Sequence, residues 1–460
     1  MGLGRRLQGA AFPAALMAIV VAMIGIARVG SIPMVLMLGA ALAISAVLFL
    51  VALKDDRAVF YCALAAGFFS STQVKAGGLD LAADFLLLGA LLLFLKRIGP
   101  DREHHIDGER RPAMIGLLLL GLGLIAAGGL IGAIFEPKHT SFVFSIGYQG
   151  SALGPLPARF ADVVRFAVLT AGIVVVIRAW RPSRRQARAI LVAYGAGELL
   201  SVAVGVLNGP DADNRVKGLT THPVFFGLIS AAGIIIGYSL VVMRGGRRRL
   251  FGVVVTVVSA YGMLISGTRS ALLLAAIGVL ILQMGLRSLR SASVLATGGI
   301  VGIAISLFGT NLAGSTPTIT RILGGGYASN SNDARSLLRK ETITLVKQHG
   351  LTGAGFKYLT PPHNLILGVM AAAGILGLAG LLLVVIALIR QFVATSSGDP
   401  VTLAALAVPL SAFACSWVLN AGWDRWMWLP IAVAFATPMK TSTEELPTAK
   451  NRHRSSAIAH

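Results

Sequence analysis

The sequence predicts an all-α polytopic membrane protein with about 12–14 helices crossing a bilayer. Two observations carry that expectation. The 460 residues are 55% hydrophobic and only 13% charged, with a mean hydropathy of +0.79, whereas a soluble chain of this length carries nearer a quarter charged residues. Apolar runs of about 17–25 residues, each long enough to cross the hydrocarbon core, recur from one end of the chain to the other.

Taken in order, the expected spans lie near 10–27, 31–53, 58–73, 79–95, 113–135, 160–179, 187–207, 222–243, 250–266, 270–286, 292–309, 363–389, 401–419 and 425–438. Fourteen is the count; spans 3 and 14 are short, so 12 or 13 also fit. The opening "MGLGRRLQGAAFPAALMAIVVAMIGIARVG" has the basic start and apolar middle of a secretory signal. It lacks a small-x-small cleavage site before Arg28 and is expected to remain as the first helix.

The net charge of +21 invites a nucleic-acid reading, but its distribution argues otherwise. With the N-terminus inside, the segments "KDDR", "KRIGPDREHHIDGERR", "RAWRPSRRQAR", "RGGRRR", "RSLR" and the C-terminal tail all fall on the cytoplasmic side. Together they hold most of the 40 Lys and Arg residues, as the positive-inside rule requires, so no nucleic-acid partner is expected. Both termini are then cytoplasmic. Cys62 and Cys415 lie in apolar runs far apart, at no metal-ligand spacing, and read as packing residues.

Three external segments are informative. Residues 136–159, rich in Gly and Pro, would fold onto or dip into the outer surface, which is tolerated where protein buries the backbone. Residues 208–221, "NGPDADNRVKGLTT", form the second. The third, 310–362, is the largest polar piece; a helix is expected in it, with Asp333 as N-cap, Ala334, Leu338 and Leu345 along one face and Arg335 and Arg339 on another. "GLTGAG" would end that helix and "PPHN" lead into the next span.

Charged groups at membrane depth are costly and need partners or a function. Asp80 and Asp84 lie four apart; Asp162 and Arg165, three apart, can pair on one helix face; Glu198 sits deeper, in mid-span. Three further groups converge on the external face. Arg215 stands in "DNRVKGLTTHPVFFG", Arg269 in a polar knot with Ser266, Gly267, Thr268 and Ser270, and His363 in "TPPHNLIL" behind Pro361 and Pro362. Singly, each reads as an interfacial anchor or a cap. Together they suit one chemistry. The planar fork of arginine matches phosphate oxygens and keeps its charge. A histidine near neutrality can accept a proton from an attacking hydroxyl. Group transfer from a lipid diphosphate at the membrane surface is the reaction implied.

"NRVKGLTTHPVFFG", "SGTRSALL", "SNDARSLLRKETITLVKQHGLTGAGF" and "PPHNLILGVMAAAGILG" occur in the order and topology of the O-antigen ligase and polymerase family, which this chain resembles over roughly residues 205–390. The resemblance implies a membrane-embedded glycosyltransferase core (206–390, with the external loop 310–362), flanked by transmembrane helices in 1–205 and 391–438 and a cytoplasmic, disordered tail at 439–460. It implies a polyprenyl-diphosphate-linked glycan as donor, a glycan, lipid or protein as acceptor, inversion at the anomeric centre, and no metal or cofactor. By position, Arg215 and Arg269 would bind the diphosphate and His363 would activate or orient the acceptor hydroxyl. Asn364 would help position the histidine, and Ser266 and Thr268 would support the turn.

Two departures stand out. The turn reads Ser-Gly-Thr-Arg where relatives have Ser-x-Ser-Arg, which keeps the hydroxyl. Ala373 occupies a position that is glutamate in many relatives, leaving Glu198, Asp162 or Glu341 as substitutes without a geometric argument. His222, before Pro223, reads as structural. The family's motifs serve ligases and polymerases alike; a ligase is the activity expected, with polymerase and protein O-glycosylation as the alternatives within the family. A transporter or flippase of lipid-linked sugars is the alternative from another class. It predicts charged groups in mid-membrane and internal repeats, and no clear repeat is visible.

Overall fold

The computed structural model describes residues 57–76, 79–98, 112–135, 158–211, 214–243, 245–287, 328–358, 364–395, 399–419 and 424–437. The expected spans near 10–27, 31–53 and 292–309 lie outside these residues, as do residues 136–157 and 310–327, Pro361, Pro362, His363 and the tail.

The described chain is helical apart from a two-residue antiparallel pairing of Lys75–Ala76 with Leu79–Asp80. Its helices are α1 (Arg57–Ser70), α2 (Leu81–Ile98), α3 (Pro112–Ile134), α4 (Ala158–Ala167), α5 (Ile173–Trp180), α6 (Arg184–Asn208), α7 (Pro223–Val242), α8 (Gly246–Ile265), α9 (Arg269–Leu286), α10 (Ala328–His349), α11 (Leu365–Thr395), α12 (Pro400–Ala414) and α13 (Arg425–Ala436). A π-helical turn, Val168–Gly172, joins α4 to α5. Among the described residues seven helical segments are long and apolar enough to cross a bilayer, and four shorter apolar helices accompany them. The protein is therefore a multi-pass helical membrane protein. Leu87, Phe94, Leu120, Val257, Leu280 and Leu382, exposed on the bundle's flanks, are what a lipid solvent accepts.

The helices approach one another through small residues, the packing that serves where no water drives helices together. Helices α3 and α11 run antiparallel with glycine at the contact. A Cβ on Gly121 would lie 2.6 Å from the Gly380 carbonyl oxygen, and one on Gly132 would lie 2.5 Å from that of Ala372. Between α7 and α8, Gly237 and Gly252 face each other in the same way. Cys62 and Cys415 are buried and free, as packing residues would be. Asp162 is buried, Arg165 and Asp84 are half-buried.

Three expectations need correction or extension. The apolar run of span 3 predicts a helix to residue 73, but α1 stops at Ser70: the hydroxyls of Ser70, Ser71 and Thr72 donate back to the carbonyls of Ala66, Phe68 and Phe69, and Gln73 turns to φ 48°. Asp333 does not cap α10. The helix begins five residues earlier, at Ala328, and Asp333 is exposed in its second turn, beyond the first-turn N–H groups that a cap would serve. Leu345 of α10 is buried, as its face predicts, and Arg339 is exposed.

The "GLTGAG" stretch does more than end α10. Helix α11 is interrupted at Gly374 (φ 61°, ψ −155°), which interrupts the helical bonding around Ala371 and Ala372. Those carbonyls accept from the N–H groups of Ala354 (2.7 Å) and Gly355 (3.0 Å). Gly353 and Gly355 have φ of 76° and 101°, conformations that β-carbons disfavour. Phe356 then enters the bundle, fully buried against Gly129 and Phe166. The segment after α10 is thus built into the break of α11.

Candidate functional site

Helix α6 is started by Ser183 and Gln186, whose side chains bond each other's backbone N–H in a capping box. It ends at Asn208, and the chain reverses through Asp211. The N–H of Asp211 donates to the Arg215 carbonyl (2.9 Å), and Asp211 Oδ1 accepts from the Arg215 N–H (3.1 Å). Val216 then donates its N–H to the carbonyl of Ile265, the last residue of α8 (3.1 Å). Together these bonds lay Arg215 against the turn between α8 and α9.

That turn is Ser266–Gly267–Thr268, with Gly267 at φ 68°. Arg215 lies across it: a Cβ on Gly267 would come within 3.0 Å of Arg215 Nε. Arg215 Nε donates to the Ser266 carbonyl (2.8 Å) and Nη2 to Thr268 Oγ1 (3.1 Å). Thr268 occupies the N-cap of α9, yet its hydroxyl does not cap; it donates to the carbonyl of Pro223, the first residue of α7 (3.1 Å). Ser266 Oγ accepts from the Thr268 N–H (3.1 Å) and donates to the Met263 carbonyl (2.7 Å). The polar knot seen in the sequence is thus a closed network across α7, α8, α9 and the Arg215 loop. Arg215, Ser266 and Thr268 are all buried in it.

Arg269 follows as the first residue of α9 and is half-buried. A cation there opposes the helix dipole, while the first-turn N–H groups favour an anion. An arginine held at a helix start by a rigid turn is suited to gripping an anion that satisfies both.

Asn364 opens α11, and its Oδ1 accepts from the Leu367 N–H (3.0 Å). Asn364, which the resemblance gives as helping to position His363, is therefore the N-cap of α11. Leu365 N–H is shared between the carbonyls of Ser416 (2.7 Å) and Leu419 (3.0 Å), which joins the start of α11 to the turn after α12. Helices α9 and α12 run antiparallel: Gly285 packs on Leu403, and Gly278 on Ser411. Continuing that register brings the turn after α12 to the level of Arg269. The starts of α9 and α11 thus lie at one end of the bundle, flanking the end of α12. The structure brings Arg215, Ser266, Thr268 and Arg269 together directly, and Asn364 to the same end through α12. His363 lies outside the described residues.

His222 is structural: its Nδ1 caps α7 by accepting from the Val224 N–H (3.1 Å), with Pro223 at the position that needs no donor. Ala373 is buried where α11 meets α3. A Cβ on Gly377 would lie 2.5 Å from Ala373 Cβ, and Gly128 presses on it from α3, so a glutamate there would displace a helix. Glu341 is half-buried on α10. Ser201 was not anticipated: its Oγ accepts from the Leu219 N–H (3.0 Å) and holds the Arg215 loop to α6. A lone serine in an apolar helix gives no sequence signal for that role.

No protein-family model, no curated protein and no solved structure matches the chain.

Proposed function

We propose that this protein is an O-antigen ligase-like glycosyltransferase. It moves a glycan from a polyprenyl-diphosphate lipid to an acceptor hydroxyl at the outer face of the cytoplasmic membrane. The observation that carries the reading is the turn at Ser266–Thr268, which binds the Arg215 guanidinium to Thr268, the residue before Arg269, at the end of the bundle where α11 begins. In this reading Arg269 grips the diphosphate, while Arg215 holds the turn through two of its nitrogens and lends its positive field to the same anion.

The acceptor oxygen attacks the anomeric carbon as the bond from that carbon to the diphosphate oxygen breaks. The electron pair leaves with the lipid diphosphate, whose charge the arginines stabilise, and the hydroxyl proton passes to the imidazole of His363. A single displacement inverts the anomeric centre. His363→Ala is expected to lower turnover by about 10²–10⁴-fold while donor binding persists; lost binding would make His363 a donor ligand instead.

A polymerase would use the same residues on a lipid-linked acceptor. A transporter of lipid-linked sugars is favoured by one observation, the wholly buried Glu198 in the middle of α6. Gene deletion followed by sizing of the polyprenyl-linked glycans separates these readings. Long chains stranded on the lipid and rescued by wild type, but not by His363→Ala, identify a ligase. Single repeats identify a polymerase. Rescue by both alleles removes the transferase reading and turns attention to transport.

A further inference from the structure

Helix α8 turns one side to its neighbours and the other to lipid. Gly252, Val255, Ser259 and Gly262 are buried against α6 and α7. On the opposite side Leu250, Val253, Val254, Val257 and Tyr261 are all exposed. That spacing places them in one continuous apolar stripe along the helix. The stripe runs about 16 Å at the helical rise, roughly the depth of one leaflet of a hydrocarbon core about 30 Å thick.

At the end of α8 away from the Ser266–Thr268 turn, the stripe leads up to Gly246. This glycine stands one turn before Leu250, and an added Cβ there would meet nothing within 4 Å. Arg247, one turn before Leu250, borders this bare spot on one side, and Arg249, one turn before Val253, borders it on the other. Both are exposed, as is Arg248. Helical side chains lean toward the start of their helix, so the guanidinium groups reach up past Gly246. No side-chain hydrogen bond or ion pair to Arg247, Arg248 or Arg249 occurs among the described residues.

Nearby charges do not neutralise them. Helices α6 and α8 run parallel, with Gly195 on Val255 and Val202 on Gly262, so Arg184 and Arg185 open α6 at the same end and add to the positive field. The acidic Asp399, at the start of α12, lies 4.0 Å from Arg188 of α6. Three successive cations in the first turn of α8 repel one another and oppose its dipole, and an anion beside them relieves both.

A positive end orients a multi-pass protein wherever on that end its charges lie. Orientation does not require two arginines to flank bare backbone at the head of a lipid-facing stripe. That arrangement matches a phospholipid, with an anion at the interface and an apolar chain below it. The fork of each guanidinium fits phosphate oxygens. We propose that the start of α8 binds an anionic phospholipid of the surrounding bilayer, its phosphate over Gly246 between Arg247 and Arg249 and an acyl chain along the stripe from Leu250 to Tyr261. The surface is at the other end of the bundle from the arginine turn and holds whether or not the transferase reading does.

The test is native mass spectrometry of the purified, full-length protein titrated with phosphatidylglycerol or with phosphatidylcholine of the same chains. Wild type is expected to bind phosphatidylglycerol in preference. Arg247→Gln and Arg249→Gln are each expected to weaken that binding about fivefold, and together about 25-fold, with phosphatidylcholine binding unchanged. The single variants carry the test if the double variant does not fold. Arg390→Gln removes an exposed arginine of α11 at the same end of the bundle and is expected to change neither lipid's binding. An equal loss in Arg390→Gln would mean that diffuse charge, not this surface, attracts the lipid, and the proposal would fail. No headgroup preference in wild type would also overturn it, as would displacement of phosphatidylglycerol by an equal concentration of glycerol phosphate, which would make the ligand a soluble anion.

Discussion

Two places in this bundle break helical regularity, and they are satisfied in different ways. At Gly374 the carbonyls left by the interrupted α11 are met by backbone N–H groups of Ala354 and Gly355, with glycines allowing the close approach. At Ser266–Thr268 the freed groups are met by side chains, chiefly the guanidinium of Arg215. Irregular backbone that is buried must be satisfied by protein in either case. The difference lies in what is left over. The first break consumes backbone groups in a neutral joint of small residues. The second concentrates positive charge, two arginines and a helix start, at one end of the bundle. The first reads as architecture and the second as a site.

Substitutions can break that contrast or sharpen it. The largest effect is expected at Gly374. Valine there would force a β-branched residue into a conformation reserved for glycine, with its Cβ 2.5 Å from the Leu351 carbonyl oxygen. Backbone strain and overpacking each contribute about 1–3 kcal/mol, so Gly374→Val should yield little monodisperse protein on size-exclusion chromatography. A well-folded variant would mean that the break is loose.

Arg269→Lys should act oppositely, leaving the melting temperature unchanged while lowering transfer by about 10²–10³-fold, because the charge stays and the planar fork goes. Arg215→Ala should do both. It leaves the Ser266 carbonyl and the Thr268 hydroxyl without a donor, which costs about 1–3 kcal/mol in thermal stability, and it loosens the turn carrying Arg269. Smallest is Asn364→Ala, expected to cost about 1 kcal/mol through the lost cap, with Asn364→Asp largely retaining stability. If Asn364→Asp restores stability but not transfer, the amide has a second role beside His363.

Much of this was legible in the sequence, and the limits have physical causes. Apolar runs and basic loops give the spans because hydrophobic length and charge asymmetry act locally. The knot "SGTR" marks itself as a turn by composition. What composition does not carry is partnership across distance: that Arg215 spans to Ser266, 51 residues away, or that Ser201 holds Leu219. "GLTGAG" signals a helix stop, yet its docking into α11 depends on Gly374, a glycine among many in an apolar helix. Asp333 resembles an N-cap in sequence because an Asp in the second turn of a helix is followed by the same helical pattern as one at its start. Asn364 was placed beside the histidine by resemblance, while its oxygen is taken up by the Leu367 N–H.

The central claim is that the Ser266–Thr268 turn presents Arg269 to a lipid diphosphate. Its most direct test is the affinity of the purified protein for a polyprenyl diphosphate, measured for wild type and Arg269→Lys at equal folded fraction. The account predicts at least about tenfold weaker binding in the variant, roughly 1.4 kcal/mol, with an unchanged melting temperature. Equal affinities would contradict it and leave the arginine turn as a structural joint like the one at Gly374.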